Sequence, residues 1–233
     1  MNKLSILHRD FLNSKVKILA PRKALMLPES STVEETVNFL KQHAIGGVLI
    51  GQAVGVEGIF TERDVLKFLA TNLTPAALKE PVASLCTKNL VSLKPTASIA
   101  RLIHTMATGG MRHIPIIDSS SVAIISMRDV LRFIYERITS KIANLESVVI
   151  ASKLSVDGFF ENNVITMPLE KGATAPPETS LQSCLDRMVA GKSGSIVIID
   201  SEMKVSGIFT ERDFVRKASL GEVSRTTEIS KLM

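Results

Sequence analysis

Three short segments of the chain carry an alcohol and a carboxylate three residues apart: Thr61 with Asp64, Ser126 with Asp129, and Thr210 with Asp213. If each segment opens a helix, that spacing puts both side chains on one helix face. The carboxylate can then accept hydrogen bonds from both hydroxyls of a ribose while the alcohol bonds phosphate or sugar. The first turn of a helix adds unpaired N–H groups and the positive end of its dipole, which suit phosphate. A nucleoside phosphate is what this chemistry would recognise. The same pattern also caps a helix with no ligand at all, the acid reaching back to the residue where the helix starts. Capping does not explain the arginine before the aspartate in every copy, Arg63, Arg128 and Arg212. A cation in the first turn opposes the dipole by some tenths of a kcal/mol, so each arginine calls for a ligand phosphate or for an acidic neighbour such as an intersubunit partner.

Little else in the chain competes as reactive chemistry. Cys86 and Cys184 are far apart, flanked by apolar residues and without a C-x-x-C partner, and read as buried thiols rather than a disulfide or metal ligands. His8, His43, His104 and His113 lack ligand spacing, so no metal site and no cofactor is expected. With no P-loop and no nucleophile beside a base, the chain reads as non-catalytic. A net charge of +5 over 233 residues raises nucleic acid as a partner, but the basic residues are scattered and aromatics make up only 4%, so phosphate on a small molecule is the better-matched anion. Residues 1–20 lack the apolar stretch of a signal peptide and no segment reaches the ~18 apolar residues of a membrane span, which predicts a cytoplasmic protein.

Three such motifs imply three copies of one supporting unit, and the sequence does repeat itself. VEGIFTERDVLKFL ends at Leu69, VAIISMRDVLRFI at Ile134 and VSGIFTERDFVRKA at Ala218. Before each lies the same order of elements: a short strand, an amphipathic helix, an apolar strand, a turn and a second strand. In the first repeat these are Ala24 to Pro28, Thr32 to His43 with Val33, Val37 and Leu40 on one face, Gly47 to Ile50 and Val56 to Phe60. In the second they are Val91 to Leu93, a helix with Ile99, Leu102, Ile103 and Met106 inward, Ile114 to Ile117 and Val122 to Ile125. In the third they are Ala173 to Ala175, Leu181 to Val189, Ile196 to Ile199 and Val205 to Phe209. Leu131, Ile134, Ile138, Ile142, Leu145 and Val149 fall at helical spacing and predict one long linker helix over 130–152. Leu4, Leu7, Phe11 and Leu12 predict an N-terminal helix packed on the first repeat or on a second chain. ISKLM near the chain's end resembles VASLC at Val82 to Cys86, so 222–233 reads either as the opening of a fourth repeat or as a vestige capping the third.

These residues resemble the CBS domain family, whose repeats pair into Bateman modules. The family pattern is glycine, apolar, any, Thr or Ser, two of any type, then Asp. Both GIFTERD copies satisfy it, whereas AIISMRD keeps Ser126 and Asp129 but has Ala123 for the glycine. The resemblance implies an α/β (α+β) fold of βαββα units. It divides the chain into an N-terminal helix at 1–20, repeats at 21–72, 78–138 and 156–220, the linker helix at 130–152, and the start of a fourth repeat at 222–233. It also implies that Arg112 and His113, just before IPIID, lie on phosphates, as basic residues do in related regulatory subunits of AMP-activated kinase. The first repeat offers Ile45 and Gly46 at those places and the third Gly194 and Ser195. By position, adenine would lie near Leu25, Met26, Val91 and Ser92.

The expected function is regulatory: an adenine nucleotide, AMP, ADP, ATP or an adenosyl relative such as S-adenosylmethionine, bound in clefts between repeats. The nucleotide-binding candidates are Thr61, Arg63, Asp64, Arg112, His113, Ser126, Arg128, Asp129, Thr210, Arg212 and Asp213. A homodimer through CBS modules and a separate effector protein are the expected partners, with no membrane and no nucleic acid. The alternative is an oligomerisation scaffold with vestigial pockets. A lone βαββα unit leaves one sheet face bare, so the first two repeats are expected to pair and the third to seek a fourth repeat or another chain.

Overall fold

The computed structural model describes residues 11–52, 55–119, 121–145 and 172–233, with side chains described as far as Arg137 in the helix that ends at Leu145. In chain order the elements are β1 (Arg22–Lys23), β2 (Met26–Leu27), α1 (Val33–His43), β3 (Gly47–Gln52), β4 (Gly55–Thr61), α2 (Glu62–Leu69), α3 (Pro75–Lys79), α4 (Ile99–Gly109), β5 (His113–Asp118), β6 (Ser121–Ser126), α5 (Met127–Leu145), β7 (Thr174–Ala175), α6 (Leu181–Ala190), β8 (Ser195–Ile199), β9 (Val205–Thr210) and α7 (Glu211–Lys217). Single 3-10 turns lie at Val16–Leu19, Val82–Ser84 and Ile229–Lys231. This is the mixed α/β architecture that the repeats imply.

Local chemistry explains the first helix of each repeat. Thr32 accepts from the Glu35 N–H at 3.1 Å while Glu35 accepts from the Thr32 N–H at 2.8 Å, a complete capping box. Ser98 and Ser180 cap α4 and α6 in the same place, accepting from the Arg101 and Ser183 N–H groups. The expected inward faces are buried: Val33, Val37 and Leu40 on α1, Ile99, Leu102 and Met106 on α4, and Leu181, Cys184, Leu185 and Met188 on α6. Behind each helix lies a three-stranded sheet. In the first and third repeats a short strand runs parallel to the central one, pairing Met26 with Leu49 and Thr174 with Val197, and a hairpin adds the third strand antiparallel. In the second repeat the expected strand at Val91 to Leu93 shrinks to one bridge, Leu93 to Ile116, and the sheet gains β1 antiparallel on the far side of β6.

The residues read as one strand from Ala24 to Pro28 therefore serve two sheets, and the chain divides at Ala24. Of the described residues, 11–24 and 91–145 form one compact unit, and 25–90 and 172–233 form the other. The second of these is the main departure from expectation. The third repeat has a partner within the chain, the first repeat, and the two share one continuous core in which Leu40, Phe60 and Leu66 join Leu185, Phe209, Phe214 and Val215. α2 packs on α7. The Arg225 side chain donates to the Leu69 carbonyl at 2.7 Å and Gln182 donates to the Ala70 carbonyl at 2.9 Å, so the third repeat satisfies the otherwise unpaired end of α2.

Each repeat is closed by a 3-10 turn laid across the start of its first helix, and the three turns enter from different directions along the chain. Pro81 bridges Thr32 in the first repeat, Lys15 bridges Ser98 in the second, and Glu228 bridges Ser180 in the third. Val82, Val16 and Ile229 are buried beneath them. The segment 222–233, read as either a new repeat or a cap, lies on the third repeat. The N-terminal residues pack on the second repeat rather than the first: Val16 and Leu19 enter its core, and the Phe11 ring stacks on Phe133 at 5.9 Å. Leu4, Leu7, residues 146–152 and residues 156–171 lie outside the described residues. On the linker helix, Val130 is buried and Ile134 is packed on the core, whereas Leu131, read as part of the apolar stripe, faces solvent. No helix among the described residues is long and apolar enough to cross a membrane.

Candidate functional site

All three motifs stand where a strand turns into a helix: β4 into α2, β6 into α5 and β9 into α7. The neighbouring central strand places Gly47 opposite Thr61, His113 opposite Ser126 and Ser195 opposite Thr210. One residue earlier, a carbonyl accepts the N–H of the first helical residue: Gly46 from Glu62 at 3.1 Å, Arg112 from Met127 at 2.8 Å and Gly194 from Glu211 at 2.9 Å. The first-repeat counterparts of Arg112 and His113 are thus Gly46 and Gly47, one place later than the Ile45 and Gly46 read from the sequence. The Arg112 side chain is exposed and His113 is half-buried.

Each aspartate closes its own helix. The Thr61 hydroxyl donates to Asp64 Oδ2 at 2.6 Å and the Thr61 N–H to the same oxygen at 2.9 Å. Ser126 makes the same bonds to Asp129 at 2.6 and 2.9 Å, and Thr210 to Asp213 at 2.6 and 3.0 Å. Oδ2 is committed to the cap in all three copies, while Oδ1 stands outside it. Glycine at the head of the motif has a packing reason: a Cβ on Gly58 would lie 2.5 Å from Cys86 Sγ and 2.9 Å from the Thr87 carbonyl, where the closing segment crosses. In the second repeat that position is Ala123, which pairs with Lys23 of the antiparallel β1.

In the second repeat the motif aspartate walls a cavity. Its volume is 190 Å³; the polar walls are Arg22, Asp129, Arg132 and Glu136, and the apolar walls include Leu19 and Phe133. The Arg22 guanidinium, placed by β1, lies 3.8 Å from Asp129 Oδ1. Burial pushes the Asp129 carboxyl up, but the Ser126 hydroxyl and N–H, with Arg22 and Arg132 nearby, outweigh it and hold the group below its usual value. Of the residues singled out from the sequence, Asp129 lines this cavity and Ser126 holds it in place. Leu25, Val91 and Ser92, placed near adenine by position, are exposed, and Met26 is half-buried. Arg22, Arg132 and Glu136 were not foreseen. The signal was present in the similarity between SKVKIL at Ser14 to Leu19 and the other two closing turns, which puts the residues after Leu19 beside a motif.

The arginines of the first and third motifs have acidic neighbours. Arg212 Nε donates to Glu62 Oε1 at 2.8 Å, and Arg63 Nε donates to Glu211 Oε1 at 3.2 Å. The two repeats exchange equivalent ion pairs across the α2–α7 contact, which meets the demand for an anion without a ligand. Arg128, in the second repeat, is exposed. Cys86 and Cys184 are free and buried, and among the described residues no group of three or more His, Cys, Asp or Glu is placed to hold a metal.

A family model described as the CBS domain matches residues 17–71, 82–136 and 164–219. Protein MJ1225 of Methanocaldococcus jannaschii, uncharacterised by name, is 21% identical over 213 residues, 89% of this chain and 72% of its own length. Its crystal structure, which covers 94% of this chain and 82% of that one at 18% identity, matches with a TM-score of 0.73, and the protein is proposed there as an archaeal homologue of g-AMPK. The CBS domain-containing protein CBSCBSPB5 of Arabidopsis thaliana is 27% identical over 245 residues, and the chain spans 94% of itself and 44% of that relative.

Proposed function

Since the chain belongs to the CBS domain family, we propose that it is a regulatory sensor rather than an enzyme, and that the cavity of its second repeat binds an adenine nucleotide: AMP, ADP, ATP or an adenosyl relative such as S-adenosylmethionine. The observation that carries this reading is the Asp129 carboxylate, held by Ser126 through Oδ2 and with Oδ1 3.8 Å from Arg22, in the wall of a cavity that Arg22 and Arg132 also line. Asp129 accepts from the ribose hydroxyls, and the two arginines bind phosphate. Arg112 adds positive charge and His113 an imidazole beside the motif. At 190 Å³ the cavity is smaller than the roughly 300–1,000 Å³ that encloses a drug-sized ligand, so it takes the sugar and phosphate end and leaves the base to a neighbouring surface. Thr61 with Asp64 and Thr210 with Asp213 offer the same ribose chemistry in the other repeats. Occupancy passes to an effector protein, in the cytoplasm, as a change of shape or assembly.

A second reading, a scaffold with vestigial pockets, is favoured by the completeness of all three caps and by the ion pairs that occupy Arg63 and Arg212. Titration calorimetry with AMP, ATP and S-adenosylmethionine separates the two. In a sensor, Asp129→Ala lowers affinity by the strength of a charge-assisted hydrogen bond, about 1.5–3 kcal/mol, and Arg22→Ala weakens phosphorylated ligands more than adenosine. In a scaffold, Asp64→Ala, Asp129→Ala and Asp213→Ala each cost about 1 kcal/mol of stability through the lost cap, and no nucleotide binds the wild type.

A further inference from the structure

One wall of the second-repeat cavity is a single face of α5. Asp129, Arg132, Phe133 and Glu136 all line it, and steps of three, four and seven residues keep them on that face. At about 1.5 Å of rise per residue, Arg132 stands about 4.5 Å along the helix axis from Asp129, and Glu136 about 10.5 Å. Arg22 enters from β1 at the Asp129 end, 3.8 Å from Oδ1, and Arg22 and Arg132 both lower the Asp129 carboxyl. The wall therefore runs from an acid through two cations to a second acid. The start of α5 offers a phosphate little, because the Met127 N–H donates to the Arg112 carbonyl at 2.8 Å and the Asp129 N–H to the Ser126 hydroxyl at 3.3 Å. A ligand held at Asp129 by its ribose thus has its phosphate on the Arg132 side. The acid beyond it is particular to this repeat: seven residues after the aspartate the first repeat has Thr71 and the third Leu220.

We infer, on the reading that this cavity binds a nucleotide, that it takes a nucleoside monophosphate in preference to a di- or triphosphate and that Glu136 sets the choice. A single phosphate carries roughly −1.5 to −2 charges at neutral pH, which the two arginines match. At 190 Å³ the cavity is below the roughly 300–1,000 Å³ of a site that encloses a drug-sized ligand, so a longer phosphate chain extends along the wall past Arg132. Each added phosphate then brings charge toward Glu136, and the described walls supply no third cation to offset it. Whichever cation the Glu136 carboxylate faces, its charge subtracts from the positive charge that the site can offer. Like charges brought together in this way reject the longer ligand more effectively than they weaken the shorter one.

Titration calorimetry on the full chain, at low salt and without magnesium, tests this with AMP, ATP and S-adenosylmethionine as probes. Wild type should bind AMP at least about fivefold more tightly than ATP, and Asp129→Ala should weaken AMP, which identifies the cavity as the site. Arg132 and Glu136 are exposed, so water screens each charge and the effect of one substitution is modest. Glu136→Gln should narrow the AMP-to-ATP ratio by about two- to fivefold. Glu136→Lys, which places a third cation at the far end, should narrow it further or invert it, and the wild-type preference should shrink as ionic strength rises. Equal or tighter binding of ATP in an Asp129-dependent way, or a ratio that neither substitution changes, would overturn the inference and leave the sensor reading intact. Binding of S-adenosylmethionine alone would do the same. If none of the three probes binds wild type, the sensor reading falls and the inference with it.

Discussion

Two ion pairs at the α2–α7 contact account for which repeats pair, and a double-mutant cycle can measure what they contribute. The Glu211 carboxylate is 3% exposed and Glu62 12%, whereas their partners Arg63 and Arg212 are 36% and 29% exposed. The pairs therefore lie between a surface ion pair, worth about 0–1 kcal/mol, and a buried one, where removing a single partner costs about 3–5 kcal/mol. Replacing Glu211 by Gln leaves the more exposed Arg63 able to reach water, so the expected loss is about 2 kcal/mol, with about 1 kcal/mol for Arg212→Met. Urea unfolding followed by circular dichroism reads each loss as a shift of midpoint at constant slope. The cycle over Glu62 and Arg212 should return a coupling of about 1 kcal/mol, and the charge exchange Glu62→Arg with Arg212→Glu should recover at least half of what either single change loses. A coupling below about 0.3 kcal/mol, with every single variant within the ±0.5 kcal/mol of ordinary surface substitutions, would refute the assignment.

Three other outcomes follow from the geometry. Gly58→Ala should lower the melting temperature by several degrees, because its Cβ would meet the Thr87 backbone at 2.9 Å; Gly207→Ala should be milder, because the thioether of Met233 that it meets can swing away. Asp129 is held below the unfolded value of about 3.9, so the stability it contributes is present above about pH 4 and is lost as pH falls through its folded value. An acid titration of stability should be flatter in Asp129→Asn than in wild type over that range, and equal slopes would show that the carboxylate is not stabilised as described. Burial pushes the Cys86 and Cys184 thiols up, so a thiol reagent at neutral pH should label neither in the native protein and both in urea.

What could be read from the sequence was what local chemistry decides. Thr32 with Glu35 and Thr61 with Asp64 carry helix starts within four residues, and the inward stripes of α1, α4 and α6 follow from period alone. The strand expected at 24–28 is present as Met26–Leu27, but the strand just before it could not be read, because Arg22 and Lys23 answer to Ile124 and Ala123, about a hundred residues away. The cavity was missed for the same reason: Arg22 reaches Asp129 only because the 3-10 turn at Val16–Leu19 closes the second repeat and not the first. The choice of partner was carried by a single letter. Reciprocal pairing needs an acid and a base on both members, a condition met by TERD with TERD and not by SMRD, so Glu62 and Glu211 mark the first and third repeats as a pair. Each arginine's need for an anion is legible in what the repeats share, whereas the acid that meets it is legible only where they differ, at Glu62, Met127 and Glu211.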